Sequence, residues 1–514
     1  MYYHKVVKKM ITLYIKIINK QKSKRGGEMK PTFLAIDIGA SSGRIIQSTQ
    51  EKNGQLNLQE IHRFKNSFRK KDGHDRWRID YLIREILSGL EKAKQSGITQ
   101  CYVGIDTWAV DYCLLDADGQ RLGDPISYRD ERTKNAPAEF AETFSLAKLY
   151  EKTGIQIQPF NTLFQLMNEE KEILAQADKL LLIPDYLGYV FTGKMVTEKT
   201  NASTMQLLNA NTKTWDQELL TFLGVSENLF APLVDPGTIL GELRQERFTE
   251  YDLPETTFIN VASHDTASAV LGTPGEGTNW SYISSGTWSL LGIETTVASV
   301  SPQAFDENYT NEWGAHNTIR FLKNIMGMWL IQETARMQDY CYTYSELAEA
   351  AAKEPALQQY IDINDPRFLN PENMIQEIQE YCEETTQKAP KTTGEIARCV
   401  YDNLALCYAQ ELAKLNYLTG NTIDKLHIVG GGSNNRLLNQ LTADYAGIVV
   451  EAGPSEATAI GNVLMQMLCT NQFSTIEEAR KVVKNSFEFE QFYPDKNKQE
   501  TIQIYLRQME GTGI

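Results

Sequence analysis

Apolar and polar positions divide the chain into two blocks that read alike. Residues 33–38 form a continuous apolar run broken only by Asp37, and a turn of small residues, Gly39-Ala40-Ser41-Ser42-Gly43, follows. Residues 44–49 and 56–64 then alternate as extended segments separated by a Glu-Lys-Asn-Gly turn. Residues 80–94 carry apolar side chains at Leu82, Ile83, Ile86, Leu87 and Leu90, the spacing of an amphipathic helix. Residues 102–108 predict a second buried strand, and 113–119 a strand running into an Asp-x-Asp-Gly turn. Helical patterns dominate from 134 to 193.

A second strand-rich block begins at residue 258, with FINVASHDTASAV and then WSYISSGTWSLLGIE at 280–294. Helices are predicted over 326–352, 372–383 and 394–418. A strand at 426–429 runs through Gly430-Gly431-Gly432 into a helix over 435–445, and residues 449–452 give one more strand. Two similar organisations in tandem predict an α/β chain, internally duplicated, with a cleft between two lobes. Glycine, threonine and proline cluster at 272–279, where the pattern shifts. The predicted divisions are residues 1–28, a lobe over 29–275, a lobe over 276–475 and a C-terminal tail over 476–514.

The two glycine turns carry the first candidate chemistry. AIDIGASSG at 35–43 and YISSGTWSL at 282–290 each place small hydroxyl and glycine residues after an apolar strand. Such a hairpin can aim several backbone N–H groups at one anion, and small side chains let a phosphate approach. Asp37, at a strand end, suits a divalent cation held through water, and Arg44 suits phosphate. Ordinary hairpin turns are the alternative. Gly39-Ala40-Ser41-Ser42-Gly43 also matches the Gly-x-Ser-x-Gly of serine hydrolases, but that elbow needs a helix after the serine, and residues 45–49 favour a strand. Asp265, in Ser263-His264-Asp265-Thr266, follows an apolar strand and precedes a small-residue helix. A carboxylate there can accept an alcohol's proton during phosphoryl transfer, or simply cap the helix. Gly430-Gly431-Gly432 lacks the spaced dinucleotide fingerprint and leaves nucleoside contact or a plain loop open.

Composition narrows the function classes. The 514 residues are 42% apolar and 23% charged, with a net charge of −15, which argues against a nucleic-acid partner. The first 28 residues carry eight Lys or Arg against one Glu, whereas the remainder carries 43 basic against 65 acidic residues. That basic segment reads either as a membrane-surface helix or as sequence upstream of a true start at Met29. No run reaches the ~20 apolar residues of a membrane span, so no membrane partner is expected. Seven dilute cysteines without a Cys-x-x-Cys pair point to a reducing cytoplasm, with Cys382 and Cys399 the one pairing to consider.

In register along residues 33 to about 465, AIDIGASSGR, GIDTWAVDY, SYRDERT, PDYLGYVFTGK, ASHDTASAV, SSGTWSLLG, LKNIMGMWLIQ and LHIVGGGSNN closely resemble the FGGY carbohydrate kinases. The resemblance implies the actin-like ATPase fold, with two ribonuclease-H-like lobes closing over ATP and sugar. It implies a magnesium-assisted, ATP-dependent phosphorylation of a small ketose, L-rhamnulose at its 1-hydroxyl, with fuculose, xylulose or glycerol as the alternative acceptors. By the same resemblance Ala40, Ser41, Ser42, Gly43 and Arg44 contact the ATP phosphates, and Thr287, Gln332 and Gly431 complete the ATP site. His264, Asp265, Thr266 and Asn324 contact the sugar, with Asp265 as the proton acceptor. Ala109 departs from the glycine common at its position, so a methyl group narrows that side of the sugar site. A nucleotide-dependent sensor on the same fold would need no such proton acceptor.

Overall fold

The computed structural model describes residues 31–498 and 502. The expected N-terminal extension, residues 1–28, lies outside the described residues.

Two sheets dominate, and they share one topology. The first is six-stranded among the described residues and is built from β1 (Phe33–Ile38), β2 (Ser42–Gln50), β3 (Leu56–Lys65), β4 (Gln100–Thr107), β5 (Thr238–Glu242) and β6 (Glu255–Asn260). Its order is β5-β6-β4-β1-β2-β3. The second contains β7 (Trp280–Ser285), β8 (Trp288–Thr295), β9 (Thr310–Trp313), β10 (Ile319–Met326), β11 (Lys425–Val429), β12 (Val449–Ala452) and β13 (Glu490–Phe492) in the order β9-β10-β8-β7-β11-β12-β13. In each, an antiparallel meander (β1-β2-β3 or β7-β8-β10) continues through parallel strands to an antiparallel edge. The duplication read from the sequence is therefore present, with β9 as an addition to the second copy. β13 falls within the stretch expected as a tail.

β1 is buried on both faces, which explains its unbroken apolar run. Leu34, Ile36 and Ile38 pack against Leu82, Ile86 and Leu90 of helix α1 (Ile79–Gln95). Phe33 and Ala35 face Ile460, Val463 and Leu464, which come from the far end of the chain. Helix prediction failed over two stretches. Residues 179–182 form a strand paired with Tyr112–Leu115 inside the segment read as helical. The helix expected over 326–352 is β10's end followed by two helices, α3 (Trp329–Met337) and α4 (Tyr344–Ala351). Asp339 and Tyr340 take positive φ between them, and a Thr343/Glu346 capping box restarts the second. Helix α5 (Thr393–Thr419) covers the second sheet, with α6 (Arg436–Ala446) after the triple glycine. No described helix is long and apolar enough to cross a membrane, and all seven cysteines are free, Cys382 and Cys399 included.

The lobes are tied by an exchange of helices. Helix α2 (Asp265–Leu271) follows the first sheet but packs Val270 against Trp280 and Tyr282 of β7. Helix α7 (Ala457–Cys469) follows β12 of the second sheet but packs on β1 and β4. Where α2 and α7 cross, a Cβ on Gly461 would overlap the Ser268 carbonyl, and one on Gly272 would overlap that of Ala457. Beneath this crossing Asn462 Nδ2 donates to Asp106 Oδ2 at 2.6 Å, while Gln466 Nε2 donates to Asn462 Oδ1 at 2.7 Å and to the Leu34 carbonyl at 2.9 Å. Asp106 is fully buried and its Oδ1 has no protein partner among the described residues. Asn462→Leu would leave that carboxyl without its donor, a loss of about 1–3 kcal/mol. A lowered melting temperature is expected, and an unchanged one would count against this pin.

Candidate active site

A cavity of about 500 Å³ opens between the lobes where the strands of both sheets end. Asp37 is the penultimate residue of β1, and the β1–β2 register sets Arg44 directly opposite it. Arg44 donates to Asp37 Oδ2 from Nε at 3.0 Å and from Nη2 at 2.8 Å. Its Nη1 crosses the cleft to Glu456, 2.9 Å away, just before α7. Burial lowers the Arg44 pKa, but Asp37 and then Glu456 outweigh it and hold it above its ordinary value. Asp106 lies beside Asp37 in register on β4. Burial, reinforced by the Asp37 charge, pushes its carboxyl well above the usual range.

The two glycine turns face this carboxylate group from opposite lobes, and their small residues do different things. Gly39, Ala40 and Ser41 line the cavity, as do Ser284, Ser285, Gly286 and Thr287. Asn66 pins the first turn, donating from Nδ2 to the Gly39 carbonyl and from its backbone to that of Ser41, both at 2.9 Å. Gly43 serves packing: a Cβ there would overlap the Phe64 ring. Gly430 has φ +82°, which favours glycine, and Gly432 abuts the Ser285 side chain. Gly431 alone of these three has open space where a side chain would stand, and it lines the cavity. Gln332, on α3, sits behind the second turn and accepts from Thr287 Oγ1 at 3.3 Å.

His264 and Asp265 stand where β6 leads into α2. Asp265 is the first residue of the helix, inside the N-cap His264, so it is not the capping side chain. Its Oδ1 accepts from the Thr266 backbone at 2.6 Å and from Thr266 Oγ1 at 3.1 Å. Protein surrounds the carboxylate except on the cavity side, where 31% of the side chain is exposed. Burial, helped by Asp37 and opposed by His264, raises its pKa. Ala109, Val110, Tyr128, Phe160, Gln156 and Asn324 also line the cavity. Asn324 Nδ2 donates to Gln156 Oε1 at 2.7 Å. Val110 has φ +66° and the Asp111 N–H donates back to the Ala109 carbonyl at 2.9 Å, a tight turn rare for a β-branched residue. Asp111 holds it by accepting from the indoles of Trp77 (2.6 Å) and Trp108 (2.9 Å), the Tyr128 backbone (3.1 Å) and Gln165 (3.0 Å).

Family models match both halves. The N-terminal domain of the FGGY family of carbohydrate kinases covers residues 32–272, and its C-terminal domain covers residues 281–469. The chain belongs to the FGGY carbohydrate kinases. It is 65% identical to a rhamnulokinase of Enterococcus faecalis over 89% of this chain and 93% of that protein. It is 54% identical to a rhamnulokinase of Bacillus subtilis over 91% and 97%. Among solved structures, a ligand-bound xylulose kinase from Lactobacillus acidophilus superimposes with a TM-score of 0.76 at 16% identity, over 94% of this chain and 98% of that one. A Plasmodium falciparum glycerol kinase with ADP gives 0.75 at 16% identity, over 95% and 100%. These likenesses identify the actin-like ATPase fold.

In this carbohydrate kinase the cavity brings together Asp37, Ala40, Ser41, Arg44, Ala109, His264, Asp265, Thr266, Thr287, Asn324 and Gly431. Ser42, Gly43 and Gln332 are not on its wall. Ser42 closes the first turn, its carbonyl accepting from Gly39 N at 2.9 Å. Sequence reasoning quoted Asp106 and Asp111 within GIDTWAVDY without assigning them, and it missed Glu456 and Gln156. Only Glu456 carried a local signal, an acidic residue directly before an apolar helix. The glycines make a contrast that can be measured. Gly43→Ala should cost about 1–3 kcal/mol through the Phe64 clash. Gly431→Ala should leave the melting temperature unchanged, because a Cβ there meets open space. Equal melting temperatures for the two variants would overturn the distinction.

Proposed function

We propose that the chain transfers the γ-phosphoryl group of ATP to the 1-hydroxyl of L-rhamnulose, giving L-rhamnulose 1-phosphate and ADP. The observation that carries the reaction type is Asp265, a carboxylate of raised pKa opening into the cavity that both glycine turns and Asn324 also line. The choice of sugar rests on the 65% identity to a rhamnulokinase over most of both chains. In this reading residues 29–275 bind sugar and phosphate and residues 276–475 bind the nucleotide, in the cytoplasm. His264, Thr266, Asn324 and Ala109 hold the ketose. Ala40, Ser41 and Gly431 approach the ATP phosphates directly, with Ser42, Gly43 and Gln332 supporting the turns from behind.

Asp265 takes the hydroxyl proton as the sugar oxygen bonds to phosphorus and the bond from the γ-phosphorus to the β,γ-bridging oxygen breaks. Arg44 is committed to Asp37 and Glu456, so it neutralises carboxylates as much as it greets phosphate. Asp37, Asp265 and Glu456 share the cavity wall with two guanidinium groups, Arg44 and Arg129. The carboxylates suit Mg²⁺, which keeps much of its water. No group of three or more His, Cys, Asp or Glu side chains among the described residues forms a cage for a bare ion. Asp37 would hold it, and its chemistry would be to offset charge on the phosphoryl oxygens.

Three results are expected. Asp265→Asn lowers kcat by about 10²–10⁴-fold while ATP affinity stays near wild type; near-normal turnover would refute the base. Because the base must be ionised and its pKa is raised, kcat falls with decreasing pH at an acid limb above the 3.8 of an ordinary Asp. A limb at or below that value would contradict the burial argument. In an ATP-consumption panel of L-rhamnulose, fuculose, xylulose and glycerol, L-rhamnulose gives the highest kcat/KM, and preference for another acceptor would reassign the substrate.

A further inference from the structure

Asp265 has two oxygens, and the structure treats them differently. Oδ1 lies within reach of three groups: Thr266 N (2.6 Å), Thr266 Oγ1 (3.1 Å) and His264 Nε2 (3.4 Å). No hydrogen bond to Oδ2 is made among the described residues. His264 thus decides whether Oδ1 meets a third donor or a lone pair, and His264 is set from the other lobe. Arg320 of β10 places Nη2 3.0 Å from His264 Nδ1 and 3.0 Å from Glu312 Oε2, on β9. A guanidinium has donors only, so a hydrogen bond between Arg320 Nη2 and His264 requires Nδ1 to accept, and the proton of a neutral ring is then on Nε2, 3.4 Å from Asp265 Oδ1. The opposite tautomer would give Nδ1–H to Glu312, 3.3 Å away. It would satisfy Glu312 Oε2, which otherwise has no hydrogen-bond partner among the described residues, but it would set the Nε2 lone pair against the Asp265 carboxylate and forfeit the shorter Arg320 contact at 3.0 Å.

The cost of this arrangement argues that it is not packing alone. Arg320 is wholly buried, and its Nη1 has no partner among the described residues. An apolar side chain of similar volume is commonly as stable or more so at such a place. Its Nε donation to the Trp313 carbonyl at 3.3 Å and the Glu312 pair fix the fork in one orientation. Burial opposes ionisation of Glu312, but the Arg320 guanidinium outweighs it and holds its pKa below the ordinary value.

We propose that Arg320, fixed by Glu312, is a positioning residue that sets the His264 tautomer, so that His264 and Thr266 together occupy Oδ1 of Asp265 and leave Oδ2 to take the substrate proton. This rests on Asp265 being the proton acceptor. The decisive measurement is the long-range ¹H–¹⁵N spectrum of the ¹⁵N-histidine-labelled protein, with His264 assigned by the signal lost in His264→Asn. The expected result is protonated Nε2 and bare Nδ1, and a proton on Nδ1 would overturn the proposal whatever any variant does. The double variant Arg320→Met/Glu312→Gln removes the buried charges together. It should lower kcat by about 10–100-fold with KM for ATP within about twofold, and Arg320→Lys, which still donates, should recover part of the loss. Wild-type kcat in the folded double variant would also overturn it. Turnover surviving in Asp265→Asn would instead sink the base assignment and leave the tautomer standing, so the two failures are distinguishable.

Discussion

Two helices that touch backbone to backbone make the site. Gly461 and Gly272 let α7 and α2 cross with no side chains between them at those points, and each helix packs against the other lobe's sheet. The N-terminus of α2 carries Asp265 and the residue before α7 is Glu456. The crossing therefore fixes Asp265, the proposed proton acceptor, relative to Glu456 of the other lobe. Asp106 and Asn462 lie under it as a polar pin. In an apolar crossing helices can slide by a ridge; a buried carboxyl with one partner leaves a single register.

Electrostatics divides the labour around that crossing. The chain is acidic overall, and its centre is acidic too, which is paradoxical for a binder of phosphate until the geometry is considered. Arg44 bridges Asp37 and Glu456 and so links the lobes by charge as well as by packing. The carboxylates raise one another's proton affinity: Asp37 contributes to the upward shifts of both Asp106 and Asp265. A pocket of this kind repels a polyanion unless backbone N–H groups and a cation meet it. Burial, with Asp37 adding to it, raises the pKa of Asp265, which suits the acceptor role proposed for it.

Much of this was legible in the sequence wherever cause and effect are close along the chain. The apolar run of β1, the amphipathic spacing of α1 and the strand after the first glycine turn follow from local pattern, and that strand removed the hydrolase reading of Ser41. The turn residues were found, but not their separate reasons. Gly43 is small for Phe64, 21 residues on, and Gly432 for Ser285 in another strand; a string of glycines does not say which one faces a ligand. The 326–352 stretch misled because its apolar spacing suits a helix throughout. Positive φ at Asp339 and Tyr340 breaks it, and neither residue announces that. Arg320 was unreadable for a deeper reason. A buried guanidinium looks like any surface arginine until a fold separated by 56 residues of chain brings His264 to it.

The second sheet's one departure from the first explains why duplication alone was not enough. Both copies supply a meander, a glycine turn and parallel strands whose ends face the cleft. Only the second adds β9 outside its meander, paired with β10 from Thr310–Leu322 to Trp313–Ile319. That pairing sets Glu312 directly opposite Arg320. A symmetric pair of lobes could cradle phosphate from both sides, but nothing in it would reach across to orient the acceptor at the head of α2. The added strand turns an edge of the second lobe into a support for Asp265 of the first, so on the proposed roles the asymmetry of the duplication coincides with the asymmetry of the reaction.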